Sequence, residues 1–209
     1  MQLDSTAVKP LVACGVAQRP LPGQAVCGDS SLVQTIPGGV LMAALDGLGH
    51  GAAAAAAAHA ALGALERHAG EPLGHLVERC HAELTSTRGA VMALGSLDFE
   101  KGRLTWLGVG NVEGVLWRDG ARGGTFPARL VPRSGVVGYQ LPPLSSQTVA
   151  VAQGDWVIFA TDGISAGFTQ SLFQHQTPQQ LAERILARHF KGTDDALVLV
   201  VRYMGPSCD

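Results

Sequence analysis

Two periodicities divide the chain. Leu73, Leu76, Val77, Cys80 and Leu84 recur at three- and four-residue spacing, which predicts a helix over about Leu73 to Ser86 with one apolar side. The alanine run Ala52 to Ala58 opens a preceding helix, from about Gly51 to His68, because alanine has the lowest helical cost, and Gly70 and Pro72 punctuate its end. A third helix is predicted over Pro178 to Phe190, with Leu181, Ile185 and Leu186 apolar. Elsewhere short apolar runs predict strands at Leu11–Ala17, Asp29–Ile36, Val40–Ala44, Ala90–Leu97, Arg103–Val109, Gly114–Trp117, Gln147–Ala152, Trp156–Thr161 and Ala196–Val201. Gly, Pro, Asp and Asn separate them, and Phe99-Glu100-Lys101-Gly102 and Arg118-Asp119-Gly120 read as hairpin turns. Gly120 to Pro143 is rich in Gly and Pro and is expected to be an irregular flap or connection. Strands grouped together, with two helices adjacent, favour an α+β arrangement of antiparallel sheets over a doubly wound parallel sheet.

Composition narrows the class. With 209 residues, 46% hydrophobic and only 15% charged, the chain can bury a substantial core, and one domain is expected. A net charge of −2 without a basic block argues against nucleic acid or an anionic membrane as the main partner. No apolar run approaches the roughly 20 residues of a membrane span, and the first residues carry no secretory pattern, so a cytoplasmic location is expected. Cys14, Cys27, Cys80 and Cys208 are scattered without metal-ligand spacing and are expected to be free thiols.

The chemistry concentrates in aspartates at strand ends. Asp46 ends the apolar run Val40 to Leu45 and is followed by Gly47; Asp162 ends Trp156 to Thr161 and is followed by Gly163. Asp29 opens the strand to Ile36, and Asp194-Asp195 precedes Ala196 to Val201. A single Asp-Gly is most often only a turn. Four such carboxylates at strand ends would repel one another unless a cation neutralised them. Oxygen ligands without paired His or Cys suit a hard divalent ion, Mg²⁺ or Mn²⁺, better than zinc. The pattern supports a metal site and names no reaction.

At these residues the chain resembles the metal-dependent type 2C protein phosphatases, in their SpoIIE-like branch, and most of all the stand-alone RsbX type that acts on stressosome proteins. The matching stretches are Gly28-Asp29-Ser30, Ala43 to Gly51, Arg88-Gly89-Ala90, Gly108 to Val112, Gly154-Asp155, Thr161-Asp162-Gly163 and Asp194-Asp195, in the family's order from about residue 10 to 203. The resemblance implies a single-domain α-β-β-α sandwich over residues 1–209, without a separate sensor domain. It implies two divalent cations, Mn²⁺ ahead of Mg²⁺, held by Asp29, Asp46, Asp162, Asp194 and the carbonyl of Gly47. Asp46 would bridge the ions, Asp29 would reach its ion directly or through water, and Asp195 would support the ligands from behind. It also implies hydrolysis of phosphoserine or phosphothreonine by a metal-activated water, on STAS-domain scaffold or anti-sigma regulatory proteins. A monomer is expected.

Two departures bear on that expectation. Eukaryotic relatives hold phosphate with an arginine shortly before the first aspartate, whereas Arg19 lies ten positions before Asp29. Those eukaryotic relatives also place a histidine two residues after the bridging aspartate; Leu48 stands there, and His50, four residues after Asp46, is the candidate proton donor. These departures motivate an alternative, a catalytically weak phosphatase-like binding module in a partner-switching complex. Arg88 either caps the second helix or shapes the site. Gly108-Val109-Gly110 lacks the spacing and following helix of a dinucleotide fingerprint and reads as a turn. His59, His68, His75 and His81 share no ligand spacing on their helices.

Overall fold

The computed structural model describes residues 11–118, 127–171 and 176–205. Its strands are β1 (Val12–Arg19), β2 (Asp29–Ile36), β3 (Gly39–Gly47), β4 (Ala90–Asp98), β5 (Arg103–Val109), β6 (Glu113–Trp117), β7 (Ala128–Arg129), β8 (Gln147–Ala150), β9 (Trp156–Ala160) and β10 (Ala196–Tyr203). Three α-helices, α1 (Ala52–His68), α2 (Leu73–Leu84) and α3 (Pro178–His189), complete the fold. One sheet runs β1-β10-β9-β6-β7 and the other β2-β3-β4-β5-β8. Every pairing between these strands is antiparallel.

Period-two alternation explains the layers. On β3, Val40, Met42 and Ala44 face the second sheet, where they pack with Phe159, Leu197, Leu199 and Val201. The alternate residues Leu41, Ala43 and Leu45 face outward onto Ala57, Ala58, Ala61 and Leu65 of α1 and Leu76 of α2. Because both faces are covered, the strand is a continuous apolar run rather than an alternating one. β9 and β10 repeat the device: Ile158, Val198 and Val200 pack against Leu181, Ala182 and Ile185 of α3. The result is the helix-sheet-sheet-helix sandwich expected from the sequence.

Alanine on α1 has a packing role as well as a propensity. Ala54, Ala57, Ala58 and Ala61 are fully buried, so their small side chains let the helix lie close on the sheet. α3 begins with a capping box: Thr177 Oγ1 accepts from Gln180 N at 3.2 Å, Gln180 Oε1 accepts from Thr177 N at 2.9 Å, and Pro178 occupies the first helical turn.

Boundaries moved slightly from the sequence expectation. β1 continues to Arg19 and β10 to Tyr203, because each is the other's partner along eight registered pairs. α2 ends at Leu84 rather than Ser86. The Phe99–Gly102 hairpin joins β4 to β5, whereas Asp119 and Gly120 of the second expected turn lie outside the described residues. The expected irregular connection is irregular where described, apart from β7 and single bridges such as Ala90 with Val137. Among the described residues no helix is long and apolar enough to cross a membrane. Cys14, Cys27 and Cys80 are free thiols.

Candidate active site

β2 and β3 are in a register that sets Asp29 directly opposite Asp46. Facing carboxylates in an antiparallel ladder repel at close range. Asp29 is buried, with 3% of its surface exposed, and Thr161 Oγ1 donates to its Oδ2 at 2.8 Å. Leu197 N donates to that same Thr161 hydroxyl at 2.8 Å, which orients it and ties both sheets together at this point.

Asp46 opens into a cavity of about 380 Å³, which is also lined by Asp162, Asp194, Asn111, Gly49 and Ser134. The topology therefore gathers the ends of β3 and β9, the turn after β5 and the loop before β10 at one end of the sandwich. Asn111 Nδ2 donates to Asp162 Oδ2 at 2.8 Å, and Lys191 Nζ donates to the Asp162 carbonyl at 2.5 Å. Asp194 Oδ1 accepts its neighbour's amide, from Asp195, at 2.8 Å.

The glycines following two of these aspartates are sites of close approach. A Cβ on Gly47 would stand 2.0 Å from the Ala54 carbonyl oxygen, and one on Gly163 would stand 2.0 Å from that of Asp195. Glycine is thus required by backbone crowding rather than by an unusual torsion.

Electrostatics mark the same residues. Burial, reinforced by the charges of Asp29, Asp162, Asp194 and Asp195, pushes the Asp46 carboxyl up to about 9. Burial likewise pushes Asp29 up to about 7, against the pull of the Thr161 hydrogen bond. Asp162 is raised by burial and by Asp194, with Lys191 and Asn111 opposing. Such clustered perturbation is the signature of a functional cleft.

The donor chemistry fits divalent cations. Carboxylates and carbonyls are hard oxygen ligands, and the burial and mutual repulsion that raise Asp29 and Asp46 are what a bound cation would offset. Among the described residues no three Asp, Glu, His or Cys side chains are drawn into a ready-made cage. The carboxylates instead ring an open pocket, which suits ions that retain several water ligands.

The remaining candidates separate clearly. Asp195 faces away from the pocket: its Oδ1 accepts from Leu21 N at 2.7 Å and its Oδ2 from Gly28 N at 2.8 Å, clamping the loop that leads into Asp29. His50 is exposed and is not part of the pocket lining, because β3 ends at Gly47 and the chain turns away before α1. Arg19 points elsewhere, its guanidinium 5.2 Å over the Phe190 ring. Asp155 serves a turn, its Oδ2 accepting from Ala152 N at 2.9 Å. His81 Nδ1 accepts from Gly138 N at 2.9 Å and is no ligand.

Sequence reasoning assigned no role to Thr161, Asn111 or Lys191. Thr161 and Asn111 lay inside motifs already singled out, and only the cross-sheet contacts reveal what they do. Lys191 carried a weak signal, one of just three lysines in a chain whose other cations are arginine, three residues before Asp194.

The sandwich is the fold of the type 2C phosphatase domains. The family model for stage II sporulation protein E, SpoIIE, matches residues 36–204, and the chain belongs to that family. The phosphoserine phosphatase RsbX of Bacillus subtilis (strain 168) is 29% identical over 143 residues, 68% of this chain and 70% of that protein. A chain from a structure of the bacterial stressosome, described as a modular system adapted to control secondary messenger signaling, superposes with a TM-score of 0.83. It is 30% identical, and the match covers 91% of this chain and 99% of that one. RsbX in complex with magnesium superposes with a TM-score of 0.80 at 24% identity, over 91% of this chain and 94% of that one, and it shares the fold.

Proposed function

We propose that this chain is a metal-dependent protein serine/threonine phosphatase that dephosphorylates STAS-domain regulators of a stressosome-type system, working in the cytoplasm as a single catalytic domain. The observation that carries this reading is the convergence of Asp46, Asp162 and Asp194 on one open pocket, with Asp29 opposite Asp46. The likeness to RsbX and to a stressosome chain supports the substrate class.

Asp46, Asp162 and Asp194, with the Gly47 carbonyl and with Asp29 behind Asp46, would hold two divalent cations, Mn²⁺ or Mg²⁺. When bound, such ions supply an activated water and compensate the charge of the phosphoryl oxygens. The protein's own contribution is positioning. Thr161 holds the Asp29 carboxylate, Asn111 holds one oxygen of Asp162, and Asp195 fixes the loop carrying Gly28. Fixed ligands need little reorganisation when ions or substrate arrive.

The test is phosphate release from a phosphorylated STAS-domain protein with Mn²⁺. Activity in the wild type and a loss of at least about 100-fold in Asp46→Ala are expected, the scale on which removal of a group central to charge stabilisation acts. No release, or release that Asp46→Ala leaves intact, overturns the reading. The position of Arg19 and the exposure of His50 favour the alternative, a phosphatase-like binding module. Calorimetry separates the two, because two Mn²⁺ sites are expected for the enzyme and none for such a module.

A further inference from the structure

The geometry points to Arg88 as the residue that binds the phosphoryl group of the substrate, reaching it from the pocket rim at Gly49 and from the segment after α2 rather than from before β2. This inference rests on the phosphatase reading. Phosphate in an acidic pocket needs cations, and a guanidinium is the side chain best matched to it.

The other cations near the pocket are committed elsewhere or are not placed there. Arg19 lies over Phe190, and Lys191 is held on the carbonyl of Asp162. Arg129 pairs with Glu113 and also donates to Thr169 Oγ1 at 3.3 Å. Arg133 is exposed beside Ser134, and among the described residues no contact places its guanidinium at the pocket. Arg88 differs from all of these. A Cβ on Gly49, a lining residue, would stand 2.8 Å from Arg88 Nη1, so the guanidinium lies against the pocket rim. Gly49 has φ of 87°, which independently favours glycine there.

Arg88 is exposed, and among the described residues it makes no ion pair. It does not cap α2, which ends at Leu84 with Thr85 as its cap. The residues beside it are nonetheless anchored. Gly89 N donates to Thr87 Oγ1 at 3.0 Å, Leu48 N donates to the Gly89 carbonyl at 3.0 Å, and Ala90 N donates to Val137 O at 2.9 Å. An anchored segment carrying an unpaired guanidinium at the mouth of an acidic pocket is preorganised to receive an anion.

The experiment measures kinetics on p-nitrophenyl phosphate with Mn²⁺, with inorganic phosphate as competitive inhibitor. Arg88→Ala is expected to raise both KM and the inhibition constant for phosphate by about tenfold or more, the scale of a lost charge-assisted hydrogen bond. Calorimetric Mn²⁺ affinity should stay unchanged. Arg88→Lys should recover part of the loss, since lysine keeps the charge without the planar fork, and it serves as the test if Arg88→Ala fails to fold. Unchanged KM and inhibition constant, or a fall in kcat alone, overturn the assignment. If the wild type hydrolyses nothing, the phosphatase reading falls, and calorimetric titration of the Mg²⁺-loaded protein with inorganic phosphate decides. Binding that weakens about tenfold in Arg88→Ala upholds Arg88 as a phosphate ligand; equal binding, or none, overturns it.

Discussion

Asp29 and Asp46 illustrate how little a residue's identity says without its neighbours. Both follow an ordinary strand-end pattern, yet one is sealed beneath the other, and its carboxylate depends on a hydroxyl from the opposite sheet. Thr161 holds that link, accepting from Leu197 N while donating to Asp29. Thr161→Ala would leave a buried amide and a buried carboxylate oxygen without partners. A loss of about 1–3 kcal/mol in chemical denaturation is expected from such orphaned groups, together with reduced Mn²⁺-dependent activity. A variant as stable and as active as wild type would show that the link matters little. Asp195 conveys the same lesson in reverse: adjacent to a pocket aspartate in sequence, it spends both oxygens on backbone amides and acts as a clamp.

At the scale of elements, the site depends on strands and a helix meeting without side chains between them. The start of α1 passes over the end of β3 at Gly47, and the loop before β10 passes Gly163 after β9. Gly47→Ala would press a methyl group into the Ala54 carbonyl, and neither backbone can yield without shifting α1 or Asp46. A destabilisation of about 2 kcal/mol or more, with loss of Mn²⁺ binding by calorimetry, is expected from overpacking rigid backbone. Retained stability and metal binding would show that α1 can move aside. The Asp-Gly pairs were legible in the sequence. The atoms that approach were not, because they come from residues seven or more positions away.

For the whole molecule, the acidic end is a cost that folding imposes and that bound cations would relieve. A carboxyl raised in the folded state holds its proton more tightly there than in the unfolded chain, so stability falls as pH rises. The contribution is fully present below the ordinary carboxyl range near ~4. It is lost as pH climbs through about 7 for Asp29 and about 9 for Asp46. The melting temperature of the chelator-treated protein should therefore decline from pH 5 to pH 9. Saturating Mg²⁺ should flatten that decline by stabilising the ionised form, and Asp46→Asn should flatten it without metal. A metal-free melting temperature that rises across this window would contradict the account.

The pattern of apolar positions alone favoured an α+β arrangement of antiparallel sheets and located the three helices, all strands but the short β7, and the aspartates at strand ends, because period and punctuation are local properties. Family motifs then singled out the acidic residues together and ordered them. The tertiary structure decided what depends on register and crossing. It set Asp29 opposite Asp46, put Thr161 between the sheets, turned Asp195 away and left His50 outside the pocket lining. It also set Arg19 over Phe190 and brought the Arg88 guanidinium against Gly49 at the pocket rim. Those are contacts between distant segments, which no local pattern encodes. The four aspartates announce themselves in the sequence; the side chains that orient them emerge only once the two sheets are stacked.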